Sequence, residues 1–164
     1  VTDLPTALGR KPDFVIGDKE KPYLLRWWVI PRNRFFNIYL HKFCKSDDDR
    51  ALHDHPWTFN ISILLKGNYI EHRLNKKLVL RRRFIPYFRW GKAPHRVQLL
   101  PHPDNCRFDP HYNSELPVWT IFITGRIVRE WGFYCPKGWK HWKEFVATRP
   151  GGNSIGNGCE DDGA

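Results

Sequence analysis

Apolar residues come in short runs, and most of them alternate with polar ones rather than forming helical stripes. Tyr23 to Ile30, Arg34 to Phe43, Thr58 to Leu65, Asn68 to Leu74, Lys77 to Trp90, Arg96 to Leu100 and Val118 to Val128 are rich in Ile, Val, Leu, Phe, Tyr and Trp. Pro, Gly, Asn and Asp fall between and within them, at 31, 46–49, 67, 75, 86, 91–94 and 101–117. Strands separated by turn residues at this spacing predict an all-β sandwich or barrel. Lys66-Gly67-Asn68 and Leu74-Asn75-Lys76-Lys77 read as tight turns, the first with a glycine free to take positive φ. No stretch of ten or more residues carries a 3.6-residue apolar period. Pro136 to Val146, with Trp139, Trp142 and Phe145 at every third position, reads as a short helix or a docked coil.

Three regions divide the chain. Residues 1–20 are polar and aperiodic, an extended arm. Residues 21–146 hold the strands and a short aromatic segment. Residues 147–164 turn to Gly, Asn, Ser and Asp and predict a disordered tail. The 101–117 stretch is a long proline-containing loop. A length of 164 residues suits one domain with its own core.

Charge and cysteine change the picture little. Lys and Arg number 27 against 17 acids, a formal charge of +10. Such a surface attracts polyanions through counterion release, yet no nucleic-acid recognition motif accompanies it. No run of 18 apolar residues predicts a membrane helix, and no leader is visible at the start, so the expected location is the cytoplasm. Cys44, Cys106, Cys135 and Cys159 lack metal or redox spacing and, in a reducing compartment, are expected as free thiols.

The chemistry concentrates in the histidines. In Leu52-His53-Asp54-His55-Pro56-Trp57, a strand places His53 and His55 on one face, roughly 6–7 Å apart, near enough to share a cation. Asp54 then faces the other way unless a bulge turns it inward. Asn60 and Gly67 follow, and a third histidine, His95, comes just after Gly91-Lys92-Ala93-Pro94. His41 alternates with Tyr39 and Asn37 and is a further candidate to line an interior. Arg83 and Arg126, in apparent strands, are candidates for holding a substrate carboxylate or phosphate. Trp131, Trp139 and Trp142 read as packing at one end of the sandwich, or as an aromatic lid.

This spacing resembles the cupin superfamily, whose first motif is G-x5-HxH-x3,4-E-x6-G and whose second is P-x-G-x2-H-x3-N. His53, His55, Asn60 and Gly67 follow the first, with Asn where the family has Glu and Asp47 where it has the leading Gly. His95 follows the second with one extra residue after Gly91, and Leu99 stands where Asn belongs. The His-Asp-His-Pro-Trp string is also similar to that of uncharacterised cupin-like proteins of phages and bacteria. The resemblance covers about Arg34 to Gly125 and implies a jelly-roll barrel in which His53, His55 and His95 hold one divalent metal (Fe, Zn, Mn or Ni). Asn60, Asp54 and His41 are then the candidates for a fourth ligand or a pocket polar group.

The resemblance implies a metal-dependent enzyme of dioxygenase or isomerase type acting on a small molecule, and commonly a homodimer. The missing Glu and the lack of an acid–base pair leave open a non-catalytic barrel that binds a ligand, a partner or a polyanion. A related 2-oxoglutarate oxygenase requires HxD/E, which His53-Asp54-His55 does not supply, although Arg107 stands twelve residues after His95.

Overall fold

A computed structural model describes residues 4–17, 20, 22–47, 51–102, 115–147, 154–155 and 158–159. Cys106, Arg107, most of the 101–117 loop and most of the C-terminal stretch lie outside them.

The core strands are β3 (Asn37–Phe43), β4 (Leu52–His53), β5 (Phe59–Lys66), β6 (Tyr69–Arg73), β7 (Leu78–Arg81), β8 (Pro86–Trp90), β9 (His95–Leu99) and β10 (Val118–Thr124). Before them come β1 (Phe14–Gly17) and β2 (Pro22–Trp28). After them come β11 (Gly132–Cys135), β12 (Gly138–His141), α1 (Trp142–Phe145), β13 (Val146–Ala147) and β14 (Ser154–Ile155). One sheet runs β1-β2-β3-β10-β5-β8 and the other β12-β11-β4-β9-β6-β7, all antiparallel. Within the eight core strands the first pairs with the last, the second with the seventh, the third with the sixth and the fourth with the fifth. That is one long hairpin rolled over itself, the topology of a jelly roll. The all-β fold read from the sequence is the fold observed.

Alternation explains why these segments are strands. In β10 the burial runs buried, intermediate, buried through all seven residues. Val118, Thr120, Phe122 and Thr124 face the space between the sheets, while Trp119 and Ile121 face out against Leu25, Trp27 and Leu40. Leu64, Tyr69, Val97, Leu99 and Val118 close one part of the interior as an apolar plug. The rest of the interior mixes aromatic and polar side chains, and the histidines lie there.

Several boundaries differ from the sequence expectation. The N-terminal stretch is more than an arm: β1 pairs with β2, and Leu4, Ala7 and Val15 cover the outer face around Trp27. The long run from Lys77 to Trp90 breaks into β7 and β8 at Phe84, which takes φ 63°. Gly67 does turn at positive φ (77°), and a Cβ there would meet Val118. Asn75 and Lys76 carry the second turn at φ 59° and 56°. Of Pro136 to Val146, only Trp142–Phe145 is helical; Gly138–His141 pairs with β11.

The cysteine expectation needs a correction. Cys135 and Cys159 are disulfide-bonded across 24 residues, and Cys44 is the free thiol among the described cysteines. Bridges between distant segments leave no CxxC spacing to read. The bond ties the chain's end to β11, beside a cluster of Ala51, Phe133 and Phe145. Val146–Ala147 also pairs with Ser154–Ile155.

Candidate metal centre

Three elements bring the histidines together. His53 ends β4 and pairs in register with His95 at the start of β9. His55 lies just past β4, yet alternation survives because the backbone stays tied on both sides: Asp54 N donates to Gly132 O at 3.0 Å and His55 N to Gly91 O at 2.8 Å. Gly91 permits this approach, since a Cβ there would sit 1.7 Å from Trp57 O. The outcome is that one ring nitrogen from each of His53, His55 and His95 lies within 4.8 Å of the other two. His55 Nε2 and His95 Nε2 are 2.9 Å apart.

Behind the rings stand carboxylates that sequence reasoning missed. Glu71 Oε1 lies 3.3 Å from His95 Nδ1, and Asp47 Oδ2 lies 4.0 Å from His53 Nδ1. Neither approach is a hydrogen bond here, and both Nδ1 atoms are without one; the carboxylates stand at ion-pair distance on the side from which metal-binding imidazoles are usually oriented. Glu71 is fully buried on β6 and accepts from Arg81 Nε at 2.6 Å and from Arg89 Nε at 2.8 Å. Burial opposes its ionisation, but Arg89, Arg81 and Arg73 outweigh that and hold its carboxyl below the usual range. Asp47 accepts from Val97 N at 2.6 Å and from the Tyr23 hydroxyl. The departure from the family's leading glycine therefore has a structural use. For Glu71 and Arg89, the only signal was charge at inward positions of buried strands.

Burial, and then the neighbouring cations, push His55 and His95 well below the ordinary imidazole value. His53 is lowered as well, chiefly by burial. All three are neutral at pH 7, the form that ligates a metal. A first-row ion with bonds of about 2.0–2.1 Å holds adjacent nitrogens about 3 Å apart, which matches the His55–His95 spacing. With a proton on the Nδ1 that faces Glu71, His95 presents a bare Nε2 lone pair inward. The donor set fits a divalent ion of the Fe, Zn, Mn or Ni kind, with further positions left for other ligands.

The remaining candidates fall elsewhere. Asn60 is buried, and its carbonyl oxygen accepts from Arg89 Nη1 at 2.8 Å. Where the family has a ligand, this chain has a prop for the arginine that holds Glu71. Asp54 turns away from the histidines, accepting from Arg129 Nη2 at 2.7 Å and Gly132 N at 2.9 Å. No bulge rotates it inward; its carboxylate anchors β4 to the β11 side. His41 does line the interior, stacked on Phe122 at 5.0 Å, which in turn lies 6.3 Å from the His55 ring. Arg83 and Arg126 are both exposed, Arg83 lying along Phe84 at the edge. Among the described residues the inward arginines are instead Arg26, Arg81 and Arg89. Trp131 stacks on Trp142 at 5.8 Å and closes the barrel behind His53, whose ring lies 6.3 Å from it. That is end-packing beside the centre.

Strand order and site define a cupin-like jelly roll with a three-histidine cluster at its interior. Solved structures similar to this chain include proteins described as cupin or double-stranded β-helix proteins. An uncharacterised double-stranded β-helix protein from Klebsiella pneumoniae has 11% identity and a TM-score of 0.49, with 74% of this chain and 90% of that one covered. A cupin-2 domain protein from Shewanella frigidimarina has 12% identity and a TM-score of 0.44, covering 62% and 79%. The DMSP lyase DddQ from Ruegeria pomeroyi has 11% identity and a TM-score of 0.49, covering 71% of this chain and 54% of that one. No protein-family model and no curated protein matches the sequence. Such likenesses speak to fold alone, and the fold stands on this chain's own strand pairings.

Proposed function

We propose that this chain binds one divalent transition metal through His53, His55 and His95 and acts on a small molecule at that centre. The observation that carries this reading is the convergence of three imidazoles, His95 buried and His53 and His55 half-buried, with carboxylates facing His95 and His53 from behind. Three neutral ligands leave the ion's double charge uncompensated, and the ion supplies Lewis acidity to an oxygen or sulfur bound beside it. The chain's own part is to hold the rings, exclude water and orient the bound molecule. His53 and His95 are fixed by β4 and β9, and His55 by Trp57, which stacks on it at 5.1 Å. The test is metal content of the purified protein against its His55→Ala and His95→Ala variants.

A second reading, a barrel that binds without turnover, has one observation in its favour. Glu71, a buried carboxylate 3.3 Å from His95, is locked by Arg81 and Arg89, so it does not act as a free proton acceptor. Turnover assays with metal-loaded protein separate the two. The Cys135–Cys159 bond favours an oxidising compartment over the cytoplasm. Among the described residues no helix is long and apolar enough to cross a membrane.

A further inference from the structure

Arg26 projects from β2 toward the space between the sheets. Its register partner on β3 is His41, and His41 is partnered in turn by Thr120 on β10, so the three form one row across the sheet. Arg26 Nε donates to His41 Nε2 at 2.8 Å, and its guanidinium carbon lies 4.7 Å over the Tyr39 ring. Among the described residues no carboxylate pairs with it. The other inward arginines are compensated: Arg81 and Arg89 share Glu71. Burial pulls the Arg26 guanidinium down to about 10, so it is charged at neutral pH. An inward charge without a counter-ion is costly unless a ligand supplies one.

The row holds more unmet polarity. A guanidinium nitrogen can only donate, so His41 accepts through Nε2 and the neutral ring carries its proton on Nδ1. That Nδ1 is buried and has no hydrogen-bond partner, and neither has the buried Thr120 hydroxyl. A buried donor left unpaired is costly, a cost an anionic acceptor relieves. Between this row and His55 lies the Phe122 ring, in contact with both sides.

We propose that Arg26, with His41 and Thr120 beside it, is the anion-recognition end of the site. The small molecule is then a carboxylate whose short apolar body crosses Phe122 toward the histidines. The assignment of its far end rests on the metal reading above; the assignment of its charged end does not. A carboxylate matches the guanidinium fork with two parallel hydrogen bonds, and it offsets positive charge that three neutral imidazoles leave in place.

The probe is butyrate, with butyramide as its uncharged counterpart, titrated into the full chain by ligand-observed NMR with and without zinc. Butyrate is expected to bind at least tenfold more tightly than butyramide, and Arg26→Gln is expected to remove that difference. Arg26→Lys keeps the charge but not the fork and should fall between. The acid–amide comparison on the unaltered protein stands even where a variant fails to fold. Equal binding of acid and amide, no binding of butyrate up to tens of millimolar, or undiminished preference in folded Arg26→Gln each overturns the proposal. If zinc is not taken up while butyrate still binds through Arg26, the metal reading fails and this one survives.

Discussion

Glu71 Oε1 lies 3.3 Å from Nδ1 of His95, and the opposite nitrogen of that ring, Nε2, lies 2.9 Å from Nε2 of His55. The ring is a link between a buried carboxylate on one side and the candidate ion position on the other. Replacing Glu71 therefore has two effects. Glu71→Gln should weaken zinc binding about 10–100-fold through loss of the ring's backing. It should also destabilise the fold by about 3–5 kcal/mol, because Arg81 and Arg89 are left as buried charges without a counter-ion. Chelator competition and urea titration measure the two separately, and unchanged zinc affinity in folded protein would contradict the first.

Asp54 stands next to two candidate ligands in sequence and points the other way in space. Asp54→Asn should lower stability by about 2–4 kcal/mol, since its carboxylate joins Arg129 and the Gly132 amide in a buried setting. Metal per folded chain should stay unchanged. A loss of metal without a loss of stability would move Asp54 into the centre.

Acid should unfold the metal-free protein early. Folding lowers His41, His53, His55 and His95 below the ordinary value of 6.5, in each case chiefly by burial. Below about pH 6.5 the unfolded chain takes protons that the folded chain does not, so stability present above that pH falls away toward the depressed folded values. Each group contributes up to about 1.4 kcal/mol per pH unit in that window. Urea midpoints at pH 7.5, 6.5 and 5.5 should decline, more gently in His41→Phe. A flat profile down to pH 5.5 would show that these rings are not held neutral.

The disulfide is a stability element away from the centre. Reduction, or Cys135→Ser, should cost about 3 kcal/mol, as expected for closing a loop of this length. A thermal melt with and without reductant measures it, and metal content should not follow. No change in the melt would mean that the bond constrains a segment already loose in the folded state.

The strands were legible because β10, β5 and β9 alternate so regularly that period-two patterning leaves little choice. His53, His55 and His95 were legible as a set because the spacing of turn residues around them is tied to strand length. Partners on other strands were not legible. Glu71 looks like any acid in a short strand, and only register shows it behind His95. Asn60 matched a ligand position by spacing, whereas Arg89 on the neighbouring strand claims its carbonyl. Arg83 and Arg126 were reasonable anchors by type, but the turn at Phe84 and the end of β10 before Gly125 leave both outside. Arg26 was overlooked because a lone arginine in an apolar strand carries no motif. Cys135 and Cys159 pair only because β11 and the chain's end meet.

The most direct test of the central claim is metal analysis of the purified protein beside His55→Ala and His95→Ala, each checked for fold by circular dichroism. The account predicts about one Fe, Zn, Mn or Ni per chain in the parent and almost none in either folded variant. A parent that carries no metal and takes up none of these ions on addition, or variants that retain it in full, would contradict the three-histidine centre.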